Sequence, residues 1–266
     1  MSLLPVTWKD GWPLIGDISE GVPGKMVWQA NMPYKAKFKV QLGADRQCKL
    51  GVSIEERSDG GKRLRNTEKQ ECAESSVMQS DEFESETLGP QWQWNYQPRD
   101  THFSLTERPG WLRLRAFRPV ESHKLLKAGN TLTQRSFRTS TNEVTVKLDI
   151  SHLAKGQRAG LCHMAEHSGA LGVVSTGEAT FLEFRHDDRP LRGTKLQCDY
   201  LWLRSSWGLD GRSTFSYSTD GKHFVPFGQY RLSWGFYRGD RIGIYCFNDI
   251  SDEGYIDVDY LHYQVM

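Results

Sequence analysis

Short segments in which apolar and polar residues alternate at every second position recur from residue 83 to residue 266. Examples are "WLRLRAF", "EVTVKLDI", "TFLEFR", "DYLWLRS" and "GYIDVDYLHY". A period of two is typical of β-strands, because successive side chains of a strand point to opposite faces of the sheet. Turn-forming sequences such as "ERPG", "HDDRP", "STDGK" and "YRGD" separate these segments. About a dozen short strands and no helical pattern predict an all-β fold, a two-sheet antiparallel sandwich of the jelly-roll type.

The composition divides the chain into three zones. Residues 1–38 are rich in aromatic side chains and punctuated by Gly and Pro, whereas no Phe, Trp or Tyr occurs between Lys39 and Glu82. The centre of that second zone, "RSDGGKRLRNTEKQE", cannot bury much apolar surface. Residues 39–77 are therefore predicted to be a polar linker with a weak hairpin, or a segment that packs only as an edge. Residues 78–266 are predicted to form the sandwich.

The charge balance argues against two classes of partner. The sequence contains 34 Lys and Arg residues and 33 Asp and Glu residues. A nearly neutral chain has no electrostatic preference for nucleic acid or for an anionic membrane, and no apolar run of about 18 residues is present to span a bilayer. A neutral ligand fits this composition better.

The residues that commonly carry catalysis or bind metals form no recognisable motif. The five cysteines lack a CxxC pair, and we expect Cys162, Cys198 and Cys246 to be small buried side chains. His163 and His167 are four residues apart in "HMAEH", a spacing that suits zinc only on a helix. Because strand and turn sequences surround them, we expect loop or surface histidines.

The stretch "QWQWNYQ" raises the question of whether an aromatic face is core or sugar platform. In an extended strand Trp92, Trp94 and Tyr96 share one face, and Gln93 and Asn95 share the other. Since a sandwich buries one face of each strand, the tryptophan face is predicted to be buried. The polar face is then the one that could look toward another domain.

Carboxylates at the two ends of the sandwich suggest a metal site. Asp81 and Glu82 open it in "SDEFE", and Asp257 and Asp259 are predicted to share one face of the last strand. If the first and last strands pair, Asp81 or Glu82 would approach Asp259, and oxygen-rich clusters of this kind bind calcium. The alternative is that Asp257 and Asp259 are solvent-facing partners of apolar residues in an alternating strand.

Several longer motifs occur in one order, namely "WKDGWPLIGD", "DEFESETLGPQWQWNYQPRDTHFSLTERPGWLRLRA", "GNTLTQRSF", "VTVKLDISHLAKGQRAGL" and "GYIDVDYLHY". In these motifs the chain resembles family 43 glycoside hydrolases, the β-xylosidase and α-L-arabinofuranosidase group. The resemblance covers residues 78–266 as the C-terminal concanavalin A-like sandwich. Residues 1–38, through "WKDGWPLIG", resemble the end of the five-bladed catalytic propeller.

The resemblance implies an inverting hydrolase whose general base, general acid and auxiliary Asp all lie on the propeller. No position of this chain matches those three acids, so we expect it not to hydrolyse glycosidic bonds by itself. The implied function is that of an accessory module for xylan or arabinan hydrolysis, which packs on the propeller and completes its sugar pocket. The family also implies a secreted or periplasmic parent protein, although the chain shows no signal sequence.

Four residues are predicted from the resemblance to bind substrate. The segment "SWGFYRGDRIGIYCFND" matches a loop that lends an aromatic side chain to the sugar pocket, which places Phe236, Tyr237 and Trp234 there. Arg135, in "GNTLTQR", could face the propeller or a ligand and pair with a carboxylate. The alternatives are ordinary loop-packing aromatics and a solvated polar strand face.

Two other functions fit the same sandwich. An autonomous carbohydrate-binding module would need exposed aromatic rings or a groove on which pyranose rings stack, and it would bind xylo- or arabino-oligosaccharides without a propeller. A lectin-like or purely structural sandwich would bind neither.

Overall fold

The computed structural model describes residues 80–96, 98–235 and 237–265, together with the backbone of six short strands that precede them. Those six strands form three antiparallel pairs: β1 (Val6–Lys9) with β2 (Trp12–Ile15), β3 (Gln41–Leu42) with β4 (Arg46–Gln47), and β5 (Val52–Glu56) with β6 (Lys62–Asn66). The antiparallel pairing of β5 with β6 agrees with the weak hairpin predicted in this zone. The chain divides into two compact units, Met1–Glu74 and Ser75–Met266.

The described residues of the second unit contain fourteen further strands. They are β7 (Gln93–Asn95), β8 (Phe103–Ser104), β9 (Leu112–Arg115), β10 (Thr131–Arg135), β11 (Asn142–Asp149), β12 (Gln157–Met164), β13 (Ser168–Ser175), β14 (Thr180–His186), β15 (Arg189–Leu196), β16 (Tyr200–Trp207), β17 (Arg212–Ser218), β18 (Val225–Arg231), β19 (Arg241–Asn248) and β20 (Tyr255–Val265). Two 3₁₀ turns, Asp100–His102 and Leu125–Lys127, are the helical segments of the described chain. Neither these nor any other helix among the described residues has the length and apolar character that crossing a membrane requires.

The fourteen strands form two antiparallel sheets of seven, which confirms the predicted all-β sandwich. Sheet I has the strand order β15-β14-β13-β12-β19-β10-β7, and sheet II has the order β18-β17-β16-β11-β20-β9-β8. Because side chains alternate along each strand, every strand turns its apolar side chains toward the space between the two sheets, where they are buried from water. These core side chains include Val144, Val146 and Leu148 of β11, Leu201 and Leu203 of β16, Leu161 of β12, and Ile242 and Ile244 of β19.

A β-bulge in the last strand changes which of its side chains face outward. Lys147 lies opposite Tyr260 and Leu148 lies opposite Val258, so Asp259 is an extra residue without a partner. Such an insertion reverses the alternation beyond it. Asp257 and Asp259 both lie on the outer face, as predicted, beside Arg113 and Lys147. Tyr260, predicted to alternate with them, lies on the outer face as well because of the bulge.

The outer face of sheet I is covered by part of its own chain, residues 118–130, which we call the strap. Leu125 and Ala128 of the strap are buried against Cys162, Met164 and Tyr245 of the sheet. The Arg185 guanidinium, itself buried, donates from Nη2 to the carbonyl of His123 at 2.6 Å. This face is thus a second small core.

The histidines of "HMAEH" occupy different environments. His163 is fully buried between the sheets, and its Nε2 lies 2.8 Å from the Ser205 hydroxyl, whereas His167 is exposed beside Asp187. Burial lowers the pKa of His163 to about 3. The expectation of a loop or surface position is wrong for His163, because it pairs with Ile242 in the row that faces the core. Its neighbour Cys162 is buried as expected.

Candidate functional site: the Trp234 loop

The loop of residues 232–240, here called the Trp234 loop, joins β18 to β19 and is organised around a buried carboxylate. Asp240 is 3% exposed. Its Oδ1 accepts the backbone N–H of Ser233 at 3.2 Å, and its Oδ2 accepts the backbone N–H of Trp234 at 2.6 Å. Burial raises the pKa of Asp240, while the same hydrogen bonds act to lower it. The carboxylate therefore holds the backbone at Ser233 and Trp234.

Trp234 occupies an unusual backbone conformation that this arrangement supports. Its φ of 53° lies in the left-handed region, which is unfavourable for a bulky residue. The indole Nε1 donates to the carbonyl of Leu209 at 3.1 Å, and the Arg138 guanidinium lies 5.7 Å from the ring centroid. Gly211 approaches so closely that a Cβ there would lie 2.9 Å from the indole nitrogen. The ring of Trp234 is thus fixed against the β16–β17 turn.

The polar face of β7 lies against the Trp234 loop. Arg238 donates from Nη1 to Oδ1 of Asn95 at 3.3 Å and from Nη2 to Oε1 of Gln93 at 3.4 Å. On the other face, Trp92 is buried in the core and Trp94 packs against it. The predicted burial of Trp92 is confirmed, and Trp94 is partly buried on the same side. The polar side chains of this strand are the ones that look toward the candidate site.

Tyr96 departs from this pattern. Its φ of 60° ends the strand conformation, and its ring is 39% exposed beside Lys127 rather than buried with the two tryptophans. The predicted aromatic face is therefore two residues long in the structure.

Arginine side chains concentrate positive charge beside the loop. Arg135, which is exposed, lies opposite Arg241 in the pairing of β10 with β19. Arg241 donates from Nε to the Thr133 hydroxyl at 2.8 Å, and burial followed by the charges of Arg238 and Arg135 lowers its pKa. Guanidinium groups are multidentate donors for hydroxyl groups and carboxylates. This part of the site is suited to an oxygen-rich partner.

Of the two aromatic residues predicted at the tip of the loop, the structure describes one. Tyr237 is 85% exposed, the largest exposure among the large hydrophobic side chains of the described residues. Phe236 lies outside the described residues. The structure thus brings Trp234, Tyr237 and the arginines to one loop and its neighbouring strands.

The three carboxylates predicted to bind calcium do not form a common site. Asp81 pairs with Leu261 of the last strand, as the prediction required, but its Oδ2 accepts the Trp92 indole N–H at 2.6 Å. Glu82 lies 2.6 Å from Nε2 of His262. Asp259 forms an ion pair of 2.6 Å with Lys147.

Each of these carboxylates is therefore bound to a different protein donor. Among the residues described, no cluster of three or more His, Cys, Asp or Glu side chains has the geometry of a metal site. Calcium binding stays a prediction.

Asp240 and Arg238 organise this site and were missed as functional residues in the sequence. "YRGD" predicts a turn there, but this turn-forming sequence does not predict that the Asp240 carboxylate accepts a hydrogen bond from the Trp234 amide. The contact between Arg238 and β7 joins residues 143 and 145 positions apart, which no local pattern encodes.

Comparison with known proteins identifies relatives of this chain. Residues 80–264 match the family described as β-xylosidase C-terminal concanavalin A-like domain. A protein named β-xylosidase from Formosa agariphila is 30% identical over 282 residues, covering 98% of this chain and 42% of the relative.

Two solved structures share the fold. A bifunctional GH43-CE protein from Bacteroides eggerthii aligns with a TM-score of 0.66 at 23% identity, over 99% of this chain and 30% of that one. The GH43 protein BlXynB from Bacillus licheniformis aligns with a TM-score of 0.61 at 22% identity, over 80% of this chain and 46% of that one. The chain spans less than half the length of each of these three proteins.

Proposed function

The chain belongs to the family of β-xylosidase C-terminal concanavalin A-like domains, and from this premise we propose that its sandwich is an accessory module of a larger glycoside hydrolase. In this proposal the Trp234 loop packs at the rim of a sugar pocket on a catalytic propeller of the same protein and completes it. The observation that carries the proposal is the 85% exposure of Tyr237 on a loop held from beneath by buried Asp240.

The exposed ring of Tyr237 presents aromatic surface that a partner can cover. Full burial of a side chain of this size stabilises an interface by about 1.5–3 kcal/mol. The hydrogen bonds from Ser233 and Trp234 to Asp240 restrict the backbone of those two residues, which reduces the conformational freedom lost there when a partner binds. These properties suit Tyr237 to stacking on a sugar ring or on a second domain.

The arginines beside the loop supply the polar half of the proposed contact. Arg135 and Arg238 can donate to sugar hydroxyl groups or to carboxylates of a neighbouring domain. The proposed ligand at the completed pocket is a xylo- or arabino-oligosaccharide. The sugar discrimination itself is assigned to the propeller.

The proposal is tested by kinetics of the native protein that contains this chain and its catalytic domain. Loss of one aromatic contact worth about 0.5–1.5 kcal/mol should raise the KM of Tyr237→Ala for xylobiose about 2- to 10-fold. The value of kcat should change less, because the contact is made in the ground state and the transition state alike.

Tyr237→Phe, which keeps the ring, should restore KM. Leu191→Ala removes an exposed apolar side chain of edge strand β15 and is the control for surface substitution in general. An unchanged KM in both Tyr237→Ala and Trp234→Ala would contradict the proposal.

A further inference from the structure

We infer that the outer face of sheet II carries a second binding site, a shallow groove that holds a neutral oligosaccharide by stacking it on Trp202, Phe224 and Tyr260. The groove lies across β11, β16 and β20 and encloses about 130 Å³. That volume is below the roughly 300–1,000 Å³ of pockets that enclose drug-sized ligands. It fits a sugar ring that lies on the surface of the sheet. This inference does not depend on the proposed function of the Trp234 loop.

The bulge at Asp259 creates the aromatic part of this face. Because the alternation reverses there, Tyr260 and His262 point outward, while Leu261 and Tyr263 point into the core. The rings of Tyr260 and His262 stack with centroids 3.9 Å apart and planes 12° apart. Without the bulge these two rings would face the core, and the groove would lose one of its walls.

Hydrogen bonds and stacking fix the orientation of the rings. The Trp202 indole N–H donates to the Tyr260 hydroxyl at 3.1 Å. The Arg204 guanidinium lies over the Phe224 ring at 3.7 Å from its centroid. All three aromatic side chains are partly exposed. They form a pre-organised platform, which reduces the entropy that a ligand would lose on binding.

The polar groups of the groove are balanced in charge. Glu143 pairs with Arg204 at 3.3 Å and accepts the Ser206 hydroxyl at 3.1 Å. The Arg204 Nε also donates to the Thr145 hydroxyl at 3.1 Å. The amide of Gln264, on an exposed side chain, adds a donor and an acceptor at the same wall.

The combination of aromatic rings with charge-balanced polar groups favours a neutral sugar as the ligand. The face of a pyranose ring is rich in C–H groups and packs on aromatic rings, whereas its hydroxyl rim needs donors and acceptors. A strongly charged ligand would have to disrupt the pair of Glu143 and Arg204. A larger depression of about 460 Å³ elsewhere is lined by the phenol ring of Tyr217 and the imidazole of His223, and so by fewer aromatic rings than the groove.

The experiment is a titration of this chain with xylohexaose, followed by the indole N–H resonances in ¹⁵N-correlated NMR spectra. The resonance of Trp202, assigned with Trp202→Phe, should shift with a Kd in the micromolar to millimolar range. The Trp234 resonance should not shift, because its indole belongs to the other site. Phe224→Ala and Tyr260→Ala should each weaken binding at least about 5-fold, whereas Leu191→Ala should bind like the wild type.

Several results would overturn the inference. The Trp202 resonance could remain unchanged at millimolar xylohexaose, arabinohexaose and cellohexaose, or an anionic oligogalacturonate could bind more tightly than all three. Loss of binding in Tyr237→Ala but not in Phe224→Ala would assign the sugar to the Trp234 loop. Because the wild-type titration needs no substitution, misfolding of a variant cannot hide the answer. An unchanged KM in both Tyr237→Ala and Trp234→Ala would contradict the proposed function and would leave the inference about the groove unaffected.

Discussion

Replacement of Asp240 by Ala should loosen the Trp234 loop and destabilise the sandwich measurably. The carboxylate accepts two backbone N–H groups, from Ser233 and Trp234, and the Ser233 hydroxyl at 3.4 Å. A hydrogen bond to a charged group contributes about 1.5–3 kcal/mol. The desolvation that raises the pKa of Asp240 offsets part of that gain. The expected net loss in the free energy of unfolding is about 2–3 kcal/mol, which lowers Tm by about 4–12 °C in a domain of this size.

Asp240→Asn separates the hydrogen bonds from the charge. It keeps one carbonyl oxygen as acceptor and should lose about 1 kcal/mol. Since the folded state raises the pKa of Asp240, its contribution is largest below the unfolded value near 3.9 and falls as the pH rises through the folded pKa. Asp240→Asn resembles the protonated form, so its deficit relative to the wild type should shrink as the pH rises.

Urea unfolding and amide hydrogen exchange measure the two consequences separately. The first gives the free energy of unfolding, and the second should show faster exchange at Ser233 and Trp234 in Asp240→Ala. Asp188→Ala, which removes an exposed carboxylate, should stay within about 0.5 kcal/mol of the wild type. If Asp240→Ala matches Asp188→Ala in stability and in the exchange of those two amides, the loop is not held by this carboxylate.

Three further predictions concern the charged groups of the sandwich. Asp257 is 1% exposed and accepts two hydrogen bonds from Arg113, at 2.7 and 2.9 Å. Asp257→Asn should lower the free energy of unfolding, measured in urea, by about 3 kcal/mol, and a stability equal to that of the wild type would show that this ion pair is dispensable. Because the pKa of His163 falls to about 3 on folding, stability should decrease as the pH drops from 6.5 toward 3, and His163→Gln should flatten that dependence; parallel pH profiles would refute the assignment. If calcium binds as the sequence predicts, it should raise Tm and a chelator should reverse the rise, whereas identical midpoints would reject calcium.

The strands and their buried faces were accessible from the sequence, because alternation is a local property of the chain. The tryptophans of "QWQWNYQ" lie on the core side, as the cost of exposing them predicts. Pairing of the first residues of the sandwich with the last strand was also anticipated, and Asp81 pairs with Leu261. These features depend on residue spacing and on the hydrophobic effect.

The features that were missed depend on contacts between distant segments. The bulge at Asp259 arises from pairing with β11, and it decides that Tyr260 faces outward. The pattern "IDVDYLHY" contains a trace of it, since the apolar positions Ile256 and Val258 are followed by Leu261 rather than by residue 260. Burial of His163 likewise depends on its position opposite Ile242, which is 79 residues away. Local alternation cannot specify either partner.

The most direct measurement of the central proposal is the hydrogen exchange of residues 233–240, with and without xylobiose, in the proposed hydrolase that joins this chain to a catalytic domain. If the Trp234 loop completes the sugar pocket, saturating sugar should slow exchange of the Ser233 and Trp234 amides together with that of the pocket. Slowed exchange in the catalytic domain with unchanged exchange across residues 233–240 would contradict the proposal.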